Sequence, residues 1–257
     1  MHRRSWNIAM ASALLGLSAG RARAAALSIE QVRERLAAAS AQSPVDLSEQ
    51  DLSDLDLSHL DFKNARMAGA SLFASKLVMS TFAGADLTRA NLNGAWLMGT
   101  DFSGAKMAGC SLLSVVVLGG EVKARPIFAG ADLSGARIIA DFPGVNLRRA
   151  KMVRANLGVN IKNQGMGQMR TDLSGADLSE ADLAGADLNR SLLAFAKFTG
   201  ANLRGVNFFN AKMAGADLRG ADVTGADFTD ADLDGTVFAD AKGLDGAKGL
   251  GDSVVRR

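Results

Sequence analysis

From Leu47 onward a large apolar residue returns at every fifth position. The centres Leu47, Leu52, Leu57, Phe62, Met67, Leu72, Leu77, Phe82, Leu87, Leu92, Leu97, Phe102, Met107, Leu112, Val117 and Val122 keep one phase. A second run goes from Leu173 through Leu178, Leu183, Leu188, Leu193, Phe198, Leu203, Phe208, Met213, Leu218, Val223 and Phe228 to Leu233 and Phe238. Between the two, Phe128, Leu133 and Ile138 follow the phase of the second run, and Phe142, Leu147, Met152 and Leu157 that of the first. A helix repeats every 3.6 residues and a strand every two, so neither makes every fifth side chain equivalent.

Two residues before each centre sits a small residue, such as Ala65, Ala85, Cys110, Ala176 or Ala201, and the residue just before the centre is usually Asp or Asn. Each quintet therefore has two inward positions, one large and one small, and three outward ones. A chain that turns a corner every five residues satisfies this, and four corners close a coil of 20. Phe62, Phe82 and Phe102 lie 20 apart, as do Phe208 and Phe228. Like residues then stack coil on coil about 4.8 Å apart, with backbone hydrogen bonds between coils.

Units such as Ala216-Asp217-Leu218-Arg219-Gly220 and Ala176-Asp177-Leu178 match the pattern A-(D/N)-L-x-x, and over roughly 45–240 the chain resembles the pentapeptide-repeat family. The resemblance implies an all-β fold, a right-handed quadrilateral β-helix of nine or ten coils, on the order of 45 Å long. Leu52, Leu57, Phe62, Phe82, Leu87, Phe102, Leu178, Leu183, Leu188, Phe208 and Phe228 are its expected core centres. Asp177, Asp182 and Asp187 are expected outside, near corners where a short polar side chain bonds nearby backbone.

The ends differ from the repeat. Residues 1–24 read as an export signal: a basic start at Arg3 and Arg4, an apolar stretch from Trp6 to Ala19 too short to span a bilayer, and Ala22-Arg23-Ala24 as a cleavage site. The arginine pair admits the twin-arginine route beside ordinary secretion. Residues 25–44 are the expected N-terminal cap. Ser28 to Ala41 reads as a helix with Ser28 and Gln31 as a capping box, and Ile29, Val32 and Leu36 as the face that covers the first coil. Residues 241–257 form a tail.

Two interruptions break the rhythm. Residues 123–127 contain Pro126 and shift the phase by one; residues 158–171 lack a good centre and are expected to bulge as a loop. The thioether pair Met166 and Met169 in that loop, with Met152 upstream, is too sparse to assign a copper(I) site.

Charge is segregated. Residues 123–162 carry 8 basic and 2 acidic groups, between flanks that carry 7 and 11 (27–122) and 8 and 14 (170–252). Arg148, Arg149, Lys151 and Arg154 in this waist are candidate contacts for an acidic partner. Losing residues 1–24 removes four of the 29 basic residues and none of the 27 acidic ones, so the formal charge falls from +2 to −2. That balance does not indicate nucleic-acid binding.

Catalytic chemistry is sparse. Beyond the leader, His59 is the one histidine and Cys110 the one cysteine, so no His-based triad, histidine metal pair or internal disulfide can be built. No phosphate-binding glycine motif stands in the required context. No enzyme activity, cofactor or metal is expected. The reading is an exported, non-enzymatic scaffold of the bacterial periplasm or envelope that binds an unidentified protein. It binds no nucleic acid and does not insert stably in a membrane. Two alternatives stand beside it: a gyrase-binding DNA mimic, implied by some relatives, and a rod that self-associates.

Overall fold

A computed structural model describes residues 27–117, 124–159 and 170–251. The residue before each core centre makes a parallel bridge to its counterpart one coil on: Asp46 with Arg66, Asp51 with Ser71, Asp56 with Lys76, Asp61 with Thr81. These four rungs begin four faces, here A, B, C and D in that order. The chain is a parallel β-helical solenoid. Nine complete coils run from Asp46 to Val237, and Lys242 and Lys248 pair onward to start a tenth.

The quintet is the unit of this backbone. One residue bridges, the next points inward, two more make a turn, and the fifth, small and inward, leads into the next rung. The second turn residue lies in the left-handed region, as at Glu49 (φ 58°) and Gly69 (φ 68°). Glycine tolerates that region without a Cβ penalty, which explains its abundance there. The rung carboxylate fastens the turn behind it. Asp46 Oδ1 accepts the Ser48 N–H at 3.0 Å, Asp86 that of Thr88 at 3.0 Å, and Asp177 that of Ser179 at 3.0 Å. The Asp series is thus structural at these corners.

The eleven expected core centres, from Leu52 to Phe228, are all fully buried. On face D the rings of Phe62 and Phe82 stack at 4.7 Å, Phe82 and Phe102 at 5.2 Å, and Phe102 and Phe128 at 5.0 Å. Phe208 and Phe228 stack at 5.0 Å on face B. Such offsets suit aromatic pairs at this spacing. Hydroxyls that occupy small slots are satisfied within the core: Ser80 Oγ donates to the Leu57 carbonyl and Thr100 Oγ1 to that of Leu77, both at 2.7 Å. Leu233 and Phe238, the last centres, are only partly buried, because a single partial coil follows them.

The phase shifts have definite sizes. Asp101 pairs with Ile127, 26 residues on, where earlier coils use 20. Six residues are therefore inserted at the C–D corner of the fourth coil. The ring stacked on Phe102 is Phe128, and Val122 lies outside the described residues. Ile127 pairs with Asn146 after only 19. The missing residue is a turn residue at the B–C corner of the fifth coil, where the Asp141 rung comes four positions after Arg137 instead of five. There the backbone stays extended: β1 (Ser111–Leu113) and β2 (Arg137–Ile139) pair in parallel. Asn156 pairs with Asp187 after 31, an insertion of eleven at the B–C corner of the sixth coil. Thr171 already rejoins the core there, and its Oγ1 donates to the carbonyls of Leu157 (2.8 Å) and Ile138 (3.0 Å).

The helix α1 (Ile29–Ala37) is shorter than expected. Ser28 and Gln31 form the anticipated capping box. Its end comes at Ala38, and a tight Ser40–Ser43 turn then leads to Pro44, whose ring disfavours helix in the residue before it. Val32 is fully buried against the core, with Ile29 and Leu36 packed beside it. The Leu27 N–H reaches the Asp51 carbonyl at 3.2 Å, which ties the helix to the first coil. Among the described residues, no helix is long and apolar enough to cross a membrane.

Candidate functional site

The four waist cations do not share one surface. Arg148 and Arg149 are the turn residues of the D–A corner, Lys151 stands on the next A rung, and Arg154 turns the A–B corner. Three are engaged by acids of neighbouring coils. Glu180, stacked on Arg149 across the 31-residue step, accepts from Arg148 Nη2 and from Arg149 Nε, the latter at 2.8 Å. The two guanidinium groups, Arg149 foremost, hold the Glu180 carboxyl below its ordinary pKa. Lys151 Nζ lies 3.6 Å from Asp132. Arg154 makes no ion pair among the described residues, and its stem passes over Gly185. The waist is a clamp across the second insertion as much as an open basic patch. Lys123, Lys162, Met166 and Met169 lie outside the described residues.

Face A shows how the rod handles its charges. Its rungs read Asp46, Arg66, Asp86, Lys106, Asp132, Lys151 and Asp182, alternating in sign coil by coil. Arg66 lies 3.8 Å from Asp46 in this column. Further along, Asn202 Nδ2 donates to Asp182 at 2.8 Å. Faces B and D likewise separate each rung carboxylate from the next by a neutral or basic residue. Like charges directly opposite on neighbouring strands are unfavourable, so this order stabilises the stack.

Face C breaks that order. Its rungs read Asp56, Lys76, Trp96, Val116, Asp141, Asp172, Leu192, Lys212 and Asp232. Asp141 bridges Asp172, the one carboxylate-on-carboxylate rung among the described residues. Among the described residues neither carboxylate is ion-paired. Asp172 Oδ1 accepts the Ser174 N–H at 2.8 Å. No bridge joins Val116 to Asp141 among the described residues. Both insertions fall, by residue count, at corners of this face.

Of the six large apolar side chains exposed among the described residues, four lie on or beside this face, while Ile127 and Val237 stand on face D. Trp96 stands on the face, 41% exposed, with Lys76 Nζ 5.9 Å from its ring centre. Phe73 lies toward the B–C corner, and Met79 and Phe195 occupy C–D turns, with Phe195 70% exposed. Phe195 and Met79 both have φ of 57°, in the left-handed region. Sequence reasoning missed this side. The column that carries it appears only once each insertion has been assigned its length.

His59 is an exposed turn residue on the first coil. Cys110 is buried in its small slot, and burial pushes its thiol pKa up to about 12. Among the described residues no group of three or more His, Cys, Asp or Glu is placed to hold a metal ion. A cleft of about 370 Å³ lies between the end of α1 and the first coil, beside the Asp61–Lys63 ion pair (3.8 Å).

No curated protein matches the chain. Among solved structures it is similar to HetL, a pentapeptide repeat protein involved in heterocyst differentiation regulation in the cyanobacterium Nostoc. The two are 27% identical over 88% of this chain and 99% of that one, with a TM-score of 0.49. QnrB1, a plasmid-mediated fluoroquinolone resistance protein, is 20% identical over 73% of this chain and 89% of its own, with a TM-score of 0.36. A pentapeptide repeat protein of the Arabidopsis thaliana thylakoid lumen is 24% identical over 62% and 68%, with a TM-score of 0.21. The family model for pentapeptide repeats matches in eight copies, over 65–104, 171–208 and 201–240. With the same quintet carried through the intervening coils as rungs and buried centres, the chain belongs to the pentapeptide-repeat family.

Proposed function

We propose that this protein is an exported, non-enzymatic scaffold: a right-handed quadrilateral β-helix, closed at its first coil by α1, that binds another protein of the bacterial periplasm or envelope through its outer surface. The observation that carries the reading is Phe195. A bulky apolar residue at a left-handed turn position costs on the order of 1 kcal/mol in backbone strain. Its 70% exposure adds apolar surface to water. Most corners of this rod have Gly or a polar residue there. A strained, exposed aromatic side chain on a rigid rod suits a contact with a second protein. Export rests on the pattern of residues 1–24.

The charge pattern favours this over DNA mimicry. A mimic needs a continuous acidic face, and face A alternates in sign. Self-association is the second reading, supported by the partly buried Leu233 and Phe238 at the last coil. Sedimentation of the purified chain separates the two, because a monomer at high concentration removes self-association.

The scaffold reading is tested in a bacterial host by producing the full chain with a photo-crosslinking residue at position 195. We expect a periplasmic product beginning near Ala25 and a discrete crosslink to another protein. A cytoplasmic product retaining residues 1–24, or no crosslink from any outward position, would overturn it.

A further inference from the structure

We infer that face C is the docking surface of the scaffold, and that its occupant is a segment of a partner protein with Lys or Arg set between apolar side chains. The inference rests on the scaffold reading and adds the face and the chemistry of the partner.

The argument runs along five consecutive rungs. Trp96 and Val116 lead, Asp141 and Asp172 follow, and Leu192 closes the strip with Phe195 at its corner. Four coil steps separate Trp96 from Leu192, about 19 Å at the usual interstrand spacing. The strip is thus apolar at both ends and doubly anionic between them. No other rung among the described residues stacks two carboxylates, though Asn or Ser fills many rungs and would serve equally well. Two carboxylates one coil apart repel each other in the free protein. An ammonium or guanidinium placed over both removes the repulsion and gains two charge-assisted contacts. Apolar side chains on either side of that cation would meet Trp96 and Leu192. An anionic or purely apolar occupant fits none of this: it would leave the two carboxylates unneutralised.

The test uses the full folded chain and random peptides displayed on phage. Enriched peptides are then synthesised and titrated against the parent, D141N/D172N, W96A and R148E/R149E. Asn keeps the Oδ1 acceptor for the Ser174 N–H, so the double variant should fold. A thermal melt checks this. We expect peptides with a Lys or Arg flanked by apolar residues. Their affinity should fall at least tenfold in D141N/D172N and severalfold in W96A, while R148E/R149E binds as the parent does. Replacing the peptide's cation by Gln should abolish the difference between parent and double variant. Peptides that lose affinity only in R148E/R149E would overturn face C and leave the scaffold reading standing. No enrichment at all would overturn face C as a peptide surface, whatever the crosslink from position 195 shows. Equal binding to parent and D141N/D172N would also sink it.

Discussion

The Phe195 ring lies over Gly215, its counterpart one coil on: a Cβ at Gly215 would stand 2.5 Å from Phe195 Cε1. The same arrangement recurs where Glu49 overhangs Gly69 and Asn64 overhangs Gly84. A bulky turn side chain is accommodated because the next coil has no Cβ. Gly220, at a similar φ of 66°, has nothing within 4 Å. We therefore expect G220A to cost about 1 kcal/mol from backbone strain alone, and G215A clearly more. In the F195A background, G215A should fall to the G220A level. Urea unfolding of the four variants checks the cycle, and additive effects at 195 and 215 would contradict the overhang.

The rhythm of this fold was readable in the sequence because period five is literal: Leu52 or Phe82 can be placed in the core by counting. The interruptions were readable only modulo five. Inserting six residues before Ile127 and inserting one give the same phase, so neither the size of the excursion nor its corner followed from Pro126. Column neighbours depend on those sizes. Arg149 and Glu180 are 31 residues apart, and Asp141 and Asp172 also 31, so the clamp and the carboxylate pair were both invisible to a 20-residue count. Counting charge by sequence window made 123–162 a basic waist, while the folded chain sets Glu180 against two of its arginines. The capping box of α1 was legible because it is local; where the helix stops was not, because the turn into the first coil decides it.

The Asp141–Asp172 rung should lower stability in the free protein. Replacing either by Asn keeps a short polar side chain and removes one charge. We expect D141N or D172N to raise stability by a few tenths to about 1 kcal/mol. For a chain of this size that is a rise of up to about 4 °C in Tm. The gain should shrink as salt is added, since both groups are at least partly exposed. A loss of stability on either substitution, measured by thermal melting at low salt, would mean the pair is held by a cation already present.

Acid should loosen the rod through its corner carboxylates. Asp222 is held below its ordinary pKa by the Thr224 hydroxyl first, then by the Thr224 N–H and Arg204. Asp46 is lowered chiefly by the Ser48 N–H. A carboxyl whose folded value is depressed contributes stability that is present above its unfolded pKa and lost as pH falls through the folded one. The urea midpoint should therefore hold from pH 7 to about pH 5, then drop as the solution passes below about pH 4. D222N, which keeps the acceptor but cannot titrate, should show a shallower drop than the parent. A midpoint independent of pH between 5 and 3 would show that these contacts contribute little.

Cys110 offers a direct clock for unfolding. It fills a small slot with 1% exposure, and its thiol is pushed up to about 12 by burial, so the reactive thiolate is scarce and shielded. A thiol reagent at pH 8 should leave the native protein unmodified over minutes and react at once in denaturant. At high reagent concentration the native rate should level off at the rate of unfolding, because every reaction must pass through an opened coil. Its backbone is locked on both sides, with the Cys110 N–H on the Met107 carbonyl at 3.1 Å and its own carbonyl accepting from Arg137 at 2.9 Å. Opening at this slot therefore requires the fourth and fifth coils to separate. Since Ala fills most equivalent slots, C110A should change stability by less than about 1 kcal/mol. Rapid labelling of the native chain would place Cys110 outside the core and undo the register of the fourth coil.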